Sequence, residues 1–538
     1  MFFLISHKYV VYLYNTRCSA AQADKHTRKD LIIVTLLNDI SEGALRILTD
    51  TSLTHEQAMM NLSKLPGQCF FGFTPPEGYE RLLEEGLISD LGEAYAPYCP
   101  RYLLPDYDLF IKKGCKFLRI DPPKDLFEAI EALKMFYRHI PSITNFPVYL
   151  GRLDRLLEPF ITDETQARYL IKHFLTFIDR TISDSYAHAN LGPEASVAGN
   201  IILDCEYELQ NATPSITLLY DPAVTPDAYA AKCARNALAF AKPSFANHQA
   251  YIKEYSCEYG IASCYNALPV GGGAFTLARL DLKAVAEKSK DADDMLTRVL
   301  PETVRVICEF MDAKIKFLVE KSLFFRSNFL VQEGFLRLDR FTGMFGVVGL
   351  AECVNHMRTL AGYPEERFGH SETADSFGVT VMERLSALVN SHENPYCAVS
   401  GGHYSLHAQV GLDSDIGVSS GARIPIGDEI ELYQHLRQAG RFHPFFHSGV
   451  GDIFPFEVSC KKNPESLVDL IRGAFSVGMR YFSAYSSDSD VIRITGYLVK
   501  RSDIEKLSRG EAVQQDNVLW GLGEVRNSHI LERKVRSL

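Results

Sequence analysis

No two of the twelve cysteines are spaced as CxxC, and no CxxxCxxC occurs in the 538 residues. Zinc ribbons, thioredoxin-like redox motifs and an iron–sulfur cluster held on that spacing are excluded. Basic runs are equally missing: 56 lysines and arginines are interspersed among 67 acidic residues, for a net charge of −11. Nucleic acid and membranes are therefore not expected partners. The one long apolar stretch, "MFFLISHKYVVYLYNTRCSAA", has no basic leading region and is broken by His7 and Lys8. It is too short to span a bilayer and reads as part of an incidental, poorly ordered leader over residues 1–50, not as an export signal. The protein is expected in the cytoplasm, its cysteines reduced and mostly buried as small hydrophobes. No repeat or low-complexity linker divides the chain, and tryptophan occurs once, at Trp520.

What is present is periodic. Apolar residues recur at helical spacing in "PEGYERLLEEGLISD", "KDLFEAIEALKMFYRHI" and "ETQARYLIKHFLTFIDRTIS", which predicts a helical N-terminal portion over 51–190. "APYCPRYLLPDY", with its three prolines, predicts an extended, packed loop. Beyond it, short β-like runs alternate with helices, as in "SITLLYDP" before "PDAYAAKCARNALAFA", "GGAFTLARLDLKAVAEKS" and "FGVVGLAECVNHMRTL". That alternation predicts an α/β architecture over 191–480, followed by a C-terminal region over 481–538.

One stretch of that last region stands apart. "DVIRITGYLV" (490–499) reads as a strand except for Gly496. A strand glycine ordinarily marks a bulge or a close backbone approach. Its flanks point further: Arg493, Thr495, Gly496 and Tyr497, as "RITGY", resemble the "RVxGY" signature of glycyl radical enzymes. Without a Cβ, the glycine Cα flattens to a planar radical without steric clash, delocalised over the adjoining amides. Such a store needs a relay, and a thiol has an S–H bond of suitable strength. Cys264, in "YGIASCYNALPVGGGAFTLARLDL" (259–282), has small or polar neighbours and precedes Gly271, Gly272 and Gly273, which allow close backbone approach. An inert buried cysteine is the other reading. "VGGGAF" fits neither phosphate-loop pattern.

Further stretches extend the resemblance. "SCYNALP", "GMFGVVGLAECVN" (343–355), "PVYLGRLDRLLEP" (147–159), "HANLGP" (188–193), "LLYDPAVTPD" (218–227), "SDIGVSSGARIPIGDE" (414–429) and the tail "VRNSHILERK" are similar to the YjjI family of glycyl radical enzymes, in order over residues 50 to 538. The resemblance implies a ten-stranded α/β barrel surrounded by helices, with the cysteine and glycine loops meeting inside. It implies a protein-derived radical on Gly496, a thiyl on Cys264 and a separate radical-SAM activating enzyme. It further implies a small-molecule substrate, a homodimer and no bound metal or cluster. Cys264 is followed by Tyr265, not by the second cysteine of pyruvate formate-lyase-like enzymes. Asn266 stands where diol dehydratases and choline lyases carry a glutamate base. The cysteine loop most resembles anaerobic ribonucleotide reductase, without that enzyme's four-cysteine zinc site. A nucleotide or nucleoside reductase, and a non-catalytic nucleotide-binding protein on the same fold, are the alternatives. Candidate substrate-binding residues are Tyr265, Asn266, His188, Asn190, Glu352, His407 and Gln409, with Tyr220, Asp221, Asp415 and Arg423 as further polar groups and Cys353 as the second thiol. Few basic residues stand near the two loops in sequence, which favours a neutral or singly charged substrate.

Overall fold

The computed structural model describes residues 40–65, 72–91, 99–142, 146–182, 184–255, 257–409 and 416–538. Residues 1–39 of the leader and Asp415 lie outside the described residues, and 40–49 form a helix. Two five-stranded sheets carry the described fold. In the first, β1 (Ile88–Ser89) and β2 (Tyr102–Leu104) both run antiparallel to β8 (Gly272–Asp281). β9 (Phe341–Val348) and β10 (Ser405–Ala408) continue the sheet in parallel. In the second, β3 (His188–Leu191), β4 (Ser215–Tyr220) and β5 (Ser244–Asn247) are parallel. β5 pairs antiparallel with β12 (Tyr481–Ser486), which pairs in parallel with β11 (Ile453–Phe456).

Parallel neighbours cannot be joined by a tight turn, so a helix crosses over at each such step. Val197–Leu209 links β3 to β4, Asp227–Phe240 links β4 to β5, Leu300–Glu320 precedes β9, and Pro464–Ser476 links β11 to β12. Of these, Val197–Leu209 starts on a side-chain cap, with Ser196 Oγ accepting from Gly199 N at 2.9 Å; the short helix Leu282–Glu287 after β8 does so too, with Asp281 Oδ1 accepting from Ala284 N at 3.2 Å. All six residues of β4, "SITLLY", are buried, which explains an apolar run without alternation.

Two expectations change. The proline-rich "APYCPRYLLPDY" holds a buried strand, β2, whose flanking prolines Pro100 and Pro105 lie outside it. The strand approaches β8 because Gly273 has no side chain: a Cβ there would lie 2.0 Å from Tyr102 O, and one on Gly272 would lie 1.9 Å from Arg340 O. Nor is the ten-stranded barrel closed by hydrogen bonds, since no ladder joins the two sheets among the described residues. The outer edge of β3 is taken instead by residues 150–152, with Leu150 N to His188 O at 2.8 Å and Asn190 N to Gly151 O at 3.0 Å. That loop satisfies the edge groups on which a further strand would build.

Candidate active site

Cys264 lies at the tip of a hairpin. β6 (Tyr259–Ala262) and β7 (Asn266–Pro269) pair with Ala262 opposite Asn266, which leaves Ser263, Cys264 and Tyr265 as the turn. Ser263 takes the left-handed backbone conformation, φ 54°, that tight hairpin turns use. A second hairpin faces it. β13 (Val491–Arg493) and β14 (Leu498–Lys500) pair with Arg493 opposite Leu498, and Ile494 N donates to Tyr497 O at 3.0 Å across the loop that carries Gly496. The two tips touch. An ideal Cβ built on Gly496 would fall 1.7 Å from Cys264 Cβ and 3.0 Å from its Sγ. No L side chain fits there, which gives the glycine a steric cause independent of its chemistry.

Both hairpins are held from below. His188 Nδ1 donates to Ser263 O at 2.6 Å, since a carbonyl only accepts, and Nε2 accepts from Thr217 Oγ1 at 2.8 Å. Burial, reinforced by Arg493 and Lys242 and partly opposed by the Ser263 hydrogen bond, holds this imidazole neutral, at about 3. Asn190 clamps β6, donating to Ile261 O at 2.9 Å and accepting from Ile261 N at 2.8 Å. Under the glycine loop lies the buried guanidinium of Arg493, which donates to Gly496 O at 3.3 Å, Ser215 Oγ at 3.3 Å and Ala241 O at 3.4 Å. Arg533 grips the same loop from the C-terminal tail, through Arg493 O at 2.9 Å and Ile494 O. The loop also has its own apolar base, in which Ile494, Tyr497 and Leu498 pack with Phe240, Val518 and Ile530.

The thiol of Cys264 is buried, and burial pushes its pKa up against the opposing hydrogen bonds of the Tyr265 amide and the Asn266 side chain. It is therefore an S–H group at neutral pH and not a thiolate nucleophile. Asn266 Nδ2 stands 3.4 Å from its Sγ, and Asn266 Oδ1 has no partner among the described residues. Tyr265 donates to Ala408 O and so ties the turn to β10, while its ring lies 5.5 Å from those of His407 and Tyr481. His407, buried near Arg101 and Arg423, is held neutral at about 3, mainly by burial, and its Nδ1 is unpartnered among the described residues. So is Gln409 Oε1, two residues further on. A cavity of about 460 Å³ opens beside Thr495 and is walled by Glu352, Ser419, Arg423 and Asp452 among others. Glu352 Oε1 accepts from Ser419 Oγ at 2.6 Å, and burial raises the carboxyl above its ordinary range.

The structure thus brings Gly496, Cys264, Tyr265, Asn266 and His407 together, with Arg423 hydrogen-bonded to the Tyr265 hydroxyl. It engages both polar ends of His188 and Asn190 in holding the cysteine hairpin. Tyr220 accepts from Arg472 at 2.8 Å, and Asp221 accepts from Ala223 N at 2.9 Å to close a turn. Cys353 is buried with its Sγ 3.6 Å from Met295 Sδ. Four residues escaped the sequence reading as site residues. Arg493 and Arg533 stand inside stretches that carried the resemblance. Arg101 and Tyr102, both close enough to interact with Cys264, are signalled only by their place in "APYCPRYLLP". Among the described residues, no group of three or more His, Cys, Asp or Glu is placed to hold a metal ion, and no helix is long and apolar enough to cross a membrane.

The family model for YjjI-like glycyl radical enzymes matches residues 53–536. An uncharacterized protein of Haemophilus influenzae is 44% identical over 494 residues, 90% of this chain and 95% of that protein. The uncharacterized protein YjjI of Escherichia coli is 41% identical over 466 residues, 86% of this chain and 89% of the other. Among solved structures, the anaerobic ribonucleotide reductase of Thermotoga maritima in complex with dATP and CTP superposes with a TM-score of 0.63, covering 94% of each chain at 13% identity. That last likeness is one of fold. With one family's pattern running through both hairpins and nearly the whole sequence, and relatives this similar along almost their full length, the chain belongs to the YjjI-like glycyl radical enzyme family.

Proposed function

We propose that this chain is an oxygen-sensitive radical enzyme in which Gly496 stores an unpaired electron and Cys264 relays it to a small-molecule substrate. A separate radical-SAM activating enzyme removes one hydrogen atom from Gly496 Cα. The S–H hydrogen of Cys264 then moves to that carbon, which leaves a thiyl. The thiyl takes a hydrogen atom from a substrate carbon, and after rearrangement the product radical recovers it from Cys264. Gly496 finally returns its hydrogen to the sulfur, so the radical is restored. The contact of the two tips, too close for any Cβ on Gly496, is the observation that carries this reading. The protonated state of the buried thiol and the Asn266 amide at its sulfur support it. Asn266 takes up no proton, which leaves Glu352, its buried carboxyl raised above the ordinary range, and His407 as the candidate acid or base.

Anaerobic incubation with the cognate activase, S-adenosylmethionine and a reductant is expected to give a doublet EPR signal, split by the remaining α-hydrogen of Gly496. In D₂O the sulfur carries deuterium, and shuttling through it converts the doublet to a single line. Cys264→Ser keeps the doublet in D₂O, because a hydroxyl does not relay. Gly496→Ala gives no signal. No doublet with an activase that demonstrably cleaves S-adenosylmethionine overturns the radical reading; collapse in Cys264→Ser reassigns the relay.

A further inference from the structure

The cysteine hairpin belongs to neither five-stranded sheet: β6 and β7 pair only with each other among the described residues. Side chains from both sheets therefore fix where its tip stands. From the second sheet, β3 supplies His188 to Ser263 O at 2.6 Å and Asn190 to both backbone groups of Ile261. From the first, β2 brings Tyr102 beside Ser263, and β10 offers Ala408 O, which accepts from the Tyr265 hydroxyl.

That hydroxyl is used twice. It gives its hydrogen to Ala408 O, and the Arg423 guanidinium donates to its oxygen. Tyr265 is only 1% exposed, and its ring is boxed by those of His407 and Tyr481, each 5.5 Å away, and by Gly451. A Cβ on Gly451 would lie 2.4 Å from Tyr265 Cε1 and 2.7 Å from Arg423 Nη2, so the missing side chain lets ring and guanidinium occupy their places. The polar end of Tyr265 is thus spent inside the protein. Tyr265 directly follows Cys264, so a shift of its backbone shifts the sulfur. The tolerance is small: a Cβ on Gly496 would meet Cys264 Sγ at 3.0 Å, and misplacing reacting groups by about 1 Å costs about 10²-fold in rate.

We propose that Tyr265, pinned by Arg423 and by Ala408 O, is a positioning residue that sets the distance between the Cys264 sulfur and Gly496 Cα, and is not a substrate contact. It ties to the first sheet a thiol that the second sheet holds from the other side. This rests on the radical reading and adds to it the residue that sets its transfer distance.

The distance can be read directly. Full-length protein is labelled with β-dideuterated cysteine and activated without oxygen. Electron–nuclear double resonance then gives the dipolar coupling between the glycyl electron and the Cys264 β-deuterons, which falls with the third power of their separation. The coupling lost in Cys264→Ser identifies those deuterons among the twelve cysteines. Tyr265→Phe keeps the ring and loses both hydroxyl bonds. Its coupling is expected to be weaker and more widely spread, and its doublet to collapse in D₂O about tenfold more slowly than wild type. Arg423→Lys, which still donates, stays closer to the wild-type coupling than Arg423→Met. A merely destabilising change lowers the unfolding midpoint and leaves the coupling of the folded, activated molecules where it was. Folded Tyr265→Phe with the wild-type coupling, or without a doublet, overturns the assignment. Should that variant not fold, Arg423→Met decides by the same criterion. A wild-type doublet beside an unmoved coupling sinks the positioning role alone. No doublet in wild type, with an activase that cleaves S-adenosylmethionine, sinks the radical reading and the positioning role with it.

Discussion

At the scale of single residues, His407 shows how burial settles chemistry that composition leaves open. Its imidazole is buried near two arginines, and its proton affinity falls to about 3, first from burial and then from Arg101 and Arg423. In the unfolded chain a histidine titrates near 6.5. Between those values the unfolded state binds a proton that the native state refuses. The stability contribution is therefore complete above about pH 6.5 and is lost progressively as pH falls toward 3. For one such histidine the loss from pH 7.5 to 5.5 is about 1.4 kcal/mol. Urea unfolding at both pH values is expected to show His407→Gln losing about 1.4 kcal/mol less than wild type over that interval. Equal losses would mean that His407 is charged in the native protein. His407 was legible in the sequence as a site candidate; its neutrality was not, because it follows first from burial among distant segments and then from Arg101 and Arg423.

At the scale of elements, the long helices were legible because their apolar residues repeat at helical spacing, as in Glu164–Thr181. β2 was not, because prolines on either side of a three-residue strand look like a loop, and its partner is a glycine run whose meaning is tertiary. The stretch around Gly496 read as a strand and is two short strands with the glycine in the loop between them; that this loop meets the cysteine loop was implied by the resemblance alone, since neither composition nor spacing shows the contact. The less visible part is the support. Asn190 resembles a pocket residue in sequence but acts as a cross-brace, satisfying both Ile261 N and Ile261 O inside the core. Asn190→Leu keeps the volume and strands both backbone groups, each of which costs about 1–3 kcal/mol when left buried and unpaired. The expected loss is about 2–4 kcal/mol in urea unfolding, with faster hydrogen exchange at the Ile261 amide. An unchanged unfolding midpoint would show that water or a shifted backbone replaces the brace.

For the whole molecule, the resemblance implied a ten-stranded barrel where the hydrogen bonding among the described residues gives two five-stranded sheets, and composition gave no hint of how firmly the C-terminal region is woven into the rest. Residues after Gly496 reach the N-terminal portion, β11 and the glycine loop. Gln57 donates to Val513 O at 3.3 Å and Gln514 O at 3.2 Å, and Ser185 N donates to Asn517 Oδ1 at 2.6 Å. Arg536 exchanges backbone hydrogen bonds of 2.8 Å with Pro455 O and Glu457 N beside β11. These contacts decide what dioxygen does to the activated enzyme. A radical at Gly496 Cα combines with O₂ to a peroxyl, whose decay breaks the backbone at that residue. Under the proposed function only activated protein is expected to be cut, because the unactivated residue is an ordinary glycine. The severed tail still holds Arg533, Arg536 and its share of the apolar base, so it is expected to stay docked. Native size-exclusion chromatography of air-exposed, activated protein should show the elution volume of the intact chain. Denaturing gels and mass spectrometry of the same fractions should show a large fragment ending beside Thr495 and a small one that carries the Trp520 fluorescence. Cleavage elsewhere, or equal cleavage without activation, would remove Gly496 as the radical site. Fragments that part on the native column would mean instead that the loop's covalent continuity, and not the tail's packing, holds the glycine against Cys264.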